Sequence, residues 1–121
     1  MFDFRLLISA IIFVCLDAIY LNFLKDYFSK QVQYIQGSKI EFNLLAAIIC
    51  YIFLIIGLNY FIIKPNRSVS DAFLFGLVVY GVYETTNWAI FKNWSLLSVI
   101  MDTLWGGVLF ALTTFIVRTI I

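Results

Sequence analysis

Four uninterrupted apolar stretches dominate the sequence and constrain its fold more than any other feature. Each has about 20 residues, the length that a helix needs to cross the hydrocarbon core of a bilayer. Continuous runs of this kind predict helices, because the strands of a membrane β-barrel would be shorter and would alternate apolar with polar side chains. The stretches lie at residues 4–24, 42–63, 69–91 and 96–117.

The composition agrees with a membrane protein. The chain has 121 residues, of which 64% are hydrophobic and 12% are charged, and a soluble domain of this size could not bury so much apolar surface. The net charge of +1 and the lack of a charged tail predict no nucleic-acid partner. We therefore expect residues 1–121 to form a single all-α domain, an integral membrane four-helix bundle whose main partner is the lipid bilayer.

The connections between the stretches predict how the helices follow one another. Residues 92–95 form a very short connection, so the third and fourth helices should make an antiparallel hairpin, with Trp94 at the membrane surface. Ser38 with Glu41 and Ser68 with Asp71 have the spacing of capping boxes before the second and third helices. The longer connection, residues 25–41, is compatible with a short interfacial helix or with a solvated loop.

The orientation in the membrane is weakly encoded, because the basic residues divide equally between the two sides. The three arginines share one side, and this favours both termini being cytoplasmic in a multi-pass protein of the cell inner membrane. One side carries Arg5, Lys64, Arg67 and Arg118, and the other carries Lys25, Lys30, Lys39 and Lys92.

Three acidic side chains, Asp17, Glu84 and Asp102, lie inside the predicted spans. A charged side chain at this position costs roughly 2.5–3.5 kcal/mol on insertion scales, so each one is a candidate functional residue. At about 1.5 Å per residue, each lies about 10–12 Å from the face that carries the first and third connections. The sequence thus predicts that three helices bring an acid to one depth.

Polar and aromatic residues surround these acids. Tyr80, Glu84 and Asn87 recur at helical spacing and share a face of the third helix. Tyr83 flanks that face, and Trp105 follows Asp102 by three residues on the fourth helix. These residues, together with Asp17, complete the predicted ligand-binding site.

No lysine or arginine lies at the depth of the acids, so either some of them are protonated or a cation is bound. Oxygen ligands from Asp17, Glu84 and Asp102 would suit a hard cation such as Mg²⁺, Ca²⁺, Mn²⁺ or Na⁺, and the chain has no histidine to favour softer metals. An organic cation held against tyrosine and tryptophan rings is the other possibility. Alternatively, the polar groups only join helices to one another, without any cofactor.

Three segments resemble the pattern of a known family. The run YGVYETTN at residues 80–87, then Trp94, then DTLWG at residues 102–106 are similar to the pattern of domain of unknown function 2177, a family of predicted membrane proteins. DAIYL at residues 17–21 is similar to an earlier element of that pattern. The resemblance implies one four-helix domain and marks five signature residues, but it implies no activity. These residues are Asp17, Glu84, Asn87, Asp102 and Trp105.

Three functions remain open on the sequence. The first is proton-coupled or cation-binding transport of a small cation, which would require a homodimer because four helices rarely enclose a pathway. The second is a membrane-embedded enzyme acting on a lipid or isoprenoid, which an apolar pocket beside the acids would favour, although no catalytic motif is present. The third is a structural or accessory subunit, which acids pointing out of the bundle, towards a membrane partner, would favour.

Overall fold

The computed structural model describes residues 4–38 and 43–120, which form helices and no strand within those ranges. The predicted all-α bundle is confirmed. Its helices are α1 (Phe4–Gln36), α2 (Leu44–Leu58), which continues as a π-helical turn (Asn59–Ile63), α3 (Val69–Ile90) and α4 (Leu96–Ile120).

The first helix is longer than the sequence predicts. α1 has 33 residues, so the predicted connection at residues 25–41 is helical as far as Gln36. No glycine or proline interrupts this segment, and its side chains contact α4, for example Tyr27 with Ser95. The helix ends at Gly37, whose backbone has a φ of 77° that favours glycine. The segment is therefore helical, but it continues the first span and is not a separate short helix.

The second helix begins at a different cap from the predicted one. Asn43 precedes α2 and accepts a hydrogen bond from the Ala46 N–H at 3.0 Å. Ser38 is therefore not the cap, and Glu41 and the predicted first residue of this span, Phe42, lie outside the described residues. The predicted cap of α3 is confirmed in part, because the Ser68 hydroxyl accepts from the Asp71 N–H at 3.0 Å.

The hairpin of α3 and α4 is the most closely packed part of the bundle. A Cβ atom on Gly76 would overlap the carbonyl group of Gly106, so the two backbones touch at this point. The connection turns at Asn93, which has a φ of 68°, and the Ser95 hydroxyl then accepts from the Ser98 N–H at 3.3 Å. The predicted hairpin is confirmed.

An apolar core fills the half of the bundle away from this turn. Phe13 from α1 and Phe110 from α4 are fully buried, and their ring centroids lie 5.2 Å apart in an edge-to-face arrangement. Leu58 and Leu109 are also fully buried there. Asn59 joins α2 to α1 beside this core, since its Nδ2 donates to the Ser9 hydroxyl at 2.9 Å.

Within the described ranges, three helical segments are long and apolar enough to cross a membrane. They are Phe4–Gln36, Leu44–Ile63 and Leu96–Ile120. α3 has 22 residues and is not among these three segments. The count of four membrane spans and the predicted bounds of the spans therefore stay predictions.

Candidate intramembrane acidic site

Two Asp-x-x-aromatic segments, one on α1 and one on α4, bind each other reciprocally. The Trp105 indole donates to Asp17 Oδ1 at 3.0 Å, and the Tyr20 hydroxyl donates to Asp102 Oδ1 at 3.2 Å. The two aromatic rings stack with centroids 4.5 Å apart and planes 3° from parallel. This pairing is possible because the helices are antiparallel, so an acid three residues before a ring on one helix faces the ring of the other.

Asp17 is the most completely hydrogen-bonded of the three acids. Its second oxygen accepts from the Tyr51 hydroxyl of α2 at 2.5 Å, and the residue is only 6% exposed. Sequence reasoning missed Tyr51. The available signal was a phenol in the middle of an otherwise apolar helix, because a buried tyrosine hydroxyl usually has a hydrogen-bond partner.

Glu84 and Asp102 form a carboxyl pair across the α3–α4 contact. The two carboxyl groups are close enough to interact electrostatically. Glu84 is 2% exposed and also accepts from the Trp94 indole at 3.0 Å. Trp94 therefore turns inward from the α3–α4 connection instead of lying only at the membrane surface.

The three acids differ in depth and burial from the prediction. Asp17 lies opposite Trp105, which is three residues beyond Asp102 on α4, so Asp17 is deeper by about 4.5 Å. Asp17 and Glu84 are buried, whereas Asp102 is partly exposed. The acids are connected through one network, but they do not share a single level.

The remaining predicted site residues divide into two groups. Tyr80 is half-buried, with its ring against the backbone of Gly106 and 6.3 Å from the ring of Phe110. Asn87 is buried one turn beyond Glu84 on α3. Tyr83 is 59% exposed on the outer surface of α3, away from the acids.

Uncharged donors satisfy these acids within the bundle. Among the described residues, no group of three or more histidine, cysteine, aspartate or glutamate side chains is arranged to hold a metal ion. The ion pair in these ranges, Arg67 with Asp71 at 3.0 Å, lies at an exposed end of α3. The predicted site for a hard cation on all three acids stays a prediction.

The fold and the site together define a small, membrane-embedded helical protein with acids hydrogen-bonded between its helices. A family model for a predicted membrane protein, DUF2177, matches residues 4–119. The chain belongs to this family, as the motifs in its sequence predicted. No curated protein and no solved structure matches the chain.

Proposed function

We propose that the protein binds a small cation in exchange for a proton and carries it across the membrane. The placement of Glu84 and Asp102 supports this proposal: the two acids lie beside each other on the α3–α4 hairpin, and the groups that donate to them, Trp94 and Tyr20, are uncharged. In a medium of low dielectric constant, two adjacent carboxylates cannot both stay charged without a compensating cation. Release of a proton from this pair leaves a charge that attracts a cation, and the return of the proton releases the cation.

The direction in which the acids point favours transport over an accessory role. Asp17 and Glu84 are buried, and their oxygens accept hydrogen bonds from other parts of the same bundle. Acids that pair with the cations of a partner subunit would instead lie on the outer surface.

The surface beside the bundle gives little support to an enzyme. A groove of about 590 Å³ runs along α3 and α4, and apolar side chains line it together with Gly81, Thr85 and Thr103. None of the three acids lines this groove, so a lipid bound there would not reach a carboxyl group.

The aromatic groups around the acids favour an organic ammonium ion as the cation. Tyr20 and Trp105 donate to Asp102 and Asp17, so aromatic rings lie directly beside the carboxyl groups, and organic ammonium ions bind to aromatic rings. We further propose that two copies form a homodimer that encloses the pathway, with both termini of each copy in the cytoplasm of a cell with the protein in its inner membrane.

Proton release on cation binding tests this function. Purified protein in detergent and weak buffer would receive tetramethylammonium, methylammonium, Na⁺ or Mg²⁺, and a pH indicator dye would report released protons. We expect an ammonium ion to release up to about one proton per protein. Glu84→Gln and Asp102→Asn should abolish the release.

The exposed carboxylate Asp71 provides the control. Asp71→Asn removes an acid from the same helix as Glu84 and should release as many protons as the wild type. If none of the four cations releases protons, or if the Glu84 and Asp102 variants respond like the wild type, the exchange proposal is wrong.

A further inference from the structure

A second polar cluster lies between α1 and α4 on the side of the α3–α4 turn. The Tyr27 hydroxyl shares a hydrogen bond of 2.8 Å with the Ser95 hydroxyl, and Ser98 Oγ lies 3.2 Å from the same Tyr27 oxygen. Gln31 Oε1 accepts from the Ser95 N–H and from the Ser98 hydroxyl, both at 3.0 Å. Ser98 is fully buried, so this cluster is built into the helix contact.

The cluster leads directly to the acidic site. Ser98 and Asp102 are four residues apart on α4, so they share a helix face with their Cβ atoms about 6 Å apart. On α1, Tyr27 and Tyr20 are two turns apart on one face, and Tyr20 donates to Asp102. The cluster and the carboxyl pair are therefore one helical turn apart on α4, and the Phe28 ring lies beside both tyrosines on α1.

One polar atom in the cluster indicates that water takes part. Gln31 Nε2 is buried and has no hydrogen-bond partner among the described residues. A buried amide donor of this kind normally binds an ordered water molecule. Water at this depth would also bridge the single helical turn between Ser98 and Asp102.

The other half of the bundle has no comparable chain of polar groups in the described ranges. Phe13, Leu58, Leu109 and Phe110 are fully buried beyond the acids. The buried hydroxyls there donate to carbonyl groups of their own helix, as Thr113 does to Leu109 at 2.8 Å. The Ser9 hydroxyl also accepts from Asn59 and so joins α1 to α2, but Ser9 lies more than two turns of α1 from Asp17. The polar groups that continue from the acids therefore lead towards the α3–α4 turn.

From this asymmetry we infer that the hydroxyl groups of Tyr27, Ser95 and Ser98, held in place by the Gln31 amide, form a proton relay between the face of the α3–α4 turn and the Glu84–Asp102 pair. The phenylalanine core closes the opposite face. This inference rests on the proposed function, for which it supplies the side from which the proton arrives.

The transfer uses only O–H bonds. A proton binds the oxygen of one hydroxyl, and the proton already on that hydroxyl passes to the next acceptor in the chain. A water molecule carries it from Ser98 to Asp102, where it ends on a carboxylate oxygen of the pair. After the hydroxyl groups have rotated back to their first orientation, each group of the relay has its original number of protons.

Other titratable groups face the site, and a measurement must distinguish their signals from the signal of the Glu84–Asp102 pair. They are Asp17 and Tyr20 on α1, Tyr51 on α2 and Tyr80 on α3. Infrared absorption of the protonated carboxyl C=O distinguishes acids from tyrosines. The band that is lost in both Glu84→Gln and Asp102→Asn belongs to the pair.

The rate at which this band responds to a rapid pH jump tests the relay, with Ser98→Ala and Thr113→Ala as a matched pair. Both residues are fully buried hydroxyls on α4, but only Ser98 belongs to the cluster. We expect Ser98→Ala to slow the response by roughly tenfold without changing its amplitude, because a positioned proton carrier is lost. Thr113→Ala should respond like the wild type.

Tyr27→Phe gives an independent test because it keeps the ring and removes the hydroxyl, and it should slow the response as well. Wild-type rates in both Ser98→Ala and Tyr27→Phe, or equal slowing in Thr113→Ala, would overturn the relay. The protein would also be placed in liposomes, and the pH outside them would be changed rapidly. The amplitude of the fast change in the infrared band should then equal the fraction of molecules whose α3–α4 turn faces outward. A fast response from molecules of the opposite orientation would show that the phenylalanine core does not close the opposite face to protons.

This experiment supplies protons alone, so its outcome is separate from that of the cation assay. If the relay variants respond slowly and no cation releases protons, the relay is supported and the transport proposal is wrong. If the relay variants respond at the wild-type rate and a cation does release protons, the relay is wrong and the transport proposal is supported.

Discussion

At the scale of single residues, neutral donors compensate the acids in the membrane. Asp17 accepts hydrogen bonds from Tyr51 and Trp105. Glu84 accepts one from Trp94, and Asp102 accepts one from Tyr20. Neutral donors lower the cost of burying a carboxyl group without adding a permanent positive charge.

Removal of one such donor should destabilise the fold. We expect Tyr51→Phe to lower the free energy of unfolding in detergent by about 1.5–3 kcal/mol, the range for hydrogen bonds to charged groups. The phenylalanine keeps the edge-to-face contact with Phe13, at 6.2 Å between centroids, so the loss reports the hydroxyl. Tyr34→Phe, at an exposed position of α1, should leave the free energy unchanged. Equal stabilities of the two variants would show that the Tyr51–Asp17 bond contributes nothing.

At the scale of helices, the close approach of α3 and α4 brings the carboxyl pair together. Gly76 lies against the Gly106 carbonyl, and the ring of Tyr80 lies against Gly106. A larger residue at either glycine would separate the helices that carry Glu84 and Asp102. Packing of small residues is a common way to join helices in lipid, where the hydrophobic effect does not drive their association.

Two glycine substitutions on α3 should therefore have opposite effects. Gly76→Ala places a Cβ into the Gly106 carbonyl and 2.8 Å from the Phe110 Cβ, and we expect destabilisation of about 1–3 kcal/mol. In Gly81→Ala the new Cβ lies 3.4 Å from the Thr103 methyl, an ordinary contact. Helix propensity should then make that variant neutral or more stable by up to about 1 kcal/mol. Thermal unfolding in detergent measures both, and similar losses in the two variants would contradict a specific contact at Gly76.

At the scale of the whole molecule, α3 lies antiparallel along α4, and we predict that it crosses the membrane together with α4. Part of its lower hydropathy comes from polar residues that are buried in the bundle, Glu84 and Asn87. The four-span prediction thus depends on the α3–α4 hairpin. The turn before α3 and the turn after it should then lie on opposite sides of the membrane.

Cysteine labelling in whole cells tests this arrangement. Lys64→Cys and Lys92→Cys would each be introduced after replacement of Cys15 and Cys50 by alanine. Both lysines are exposed, one before α3 and one after it. With cytoplasmic termini, an impermeant maleimide should label Lys92→Cys in intact cells and Lys64→Cys only after permeabilisation. The reverse pattern would invert the orientation, and labelling of both from outside would show that α3 does not cross.

The sequence by itself determined the number of helices, most of their bounds and the presence of the acids. Helices in lipid satisfy their backbone hydrogen bonds within one segment, so the length of an apolar run predicts them without knowledge of the rest of the fold. The Ser68 cap was predictable for the same reason, because its hydrogen bond joins residues three apart. The family motifs at Asp17, Glu84 and Asp102 were likewise visible in the sequence.

Only the tertiary structure decided which groups the acids meet. The distance from Asp17 to Tyr51, the inward turn of Trp94 and the exposure of Tyr83 depend on how each helix is rotated and packed. The extension of α1 to Gln36 depends in the same way on contacts with α4, a helix more than fifty residues away in the chain. Hydropathy reports how well a segment suits lipid, whereas rotation and partners follow from contacts between segments, such as those at Gly76 and Gly106.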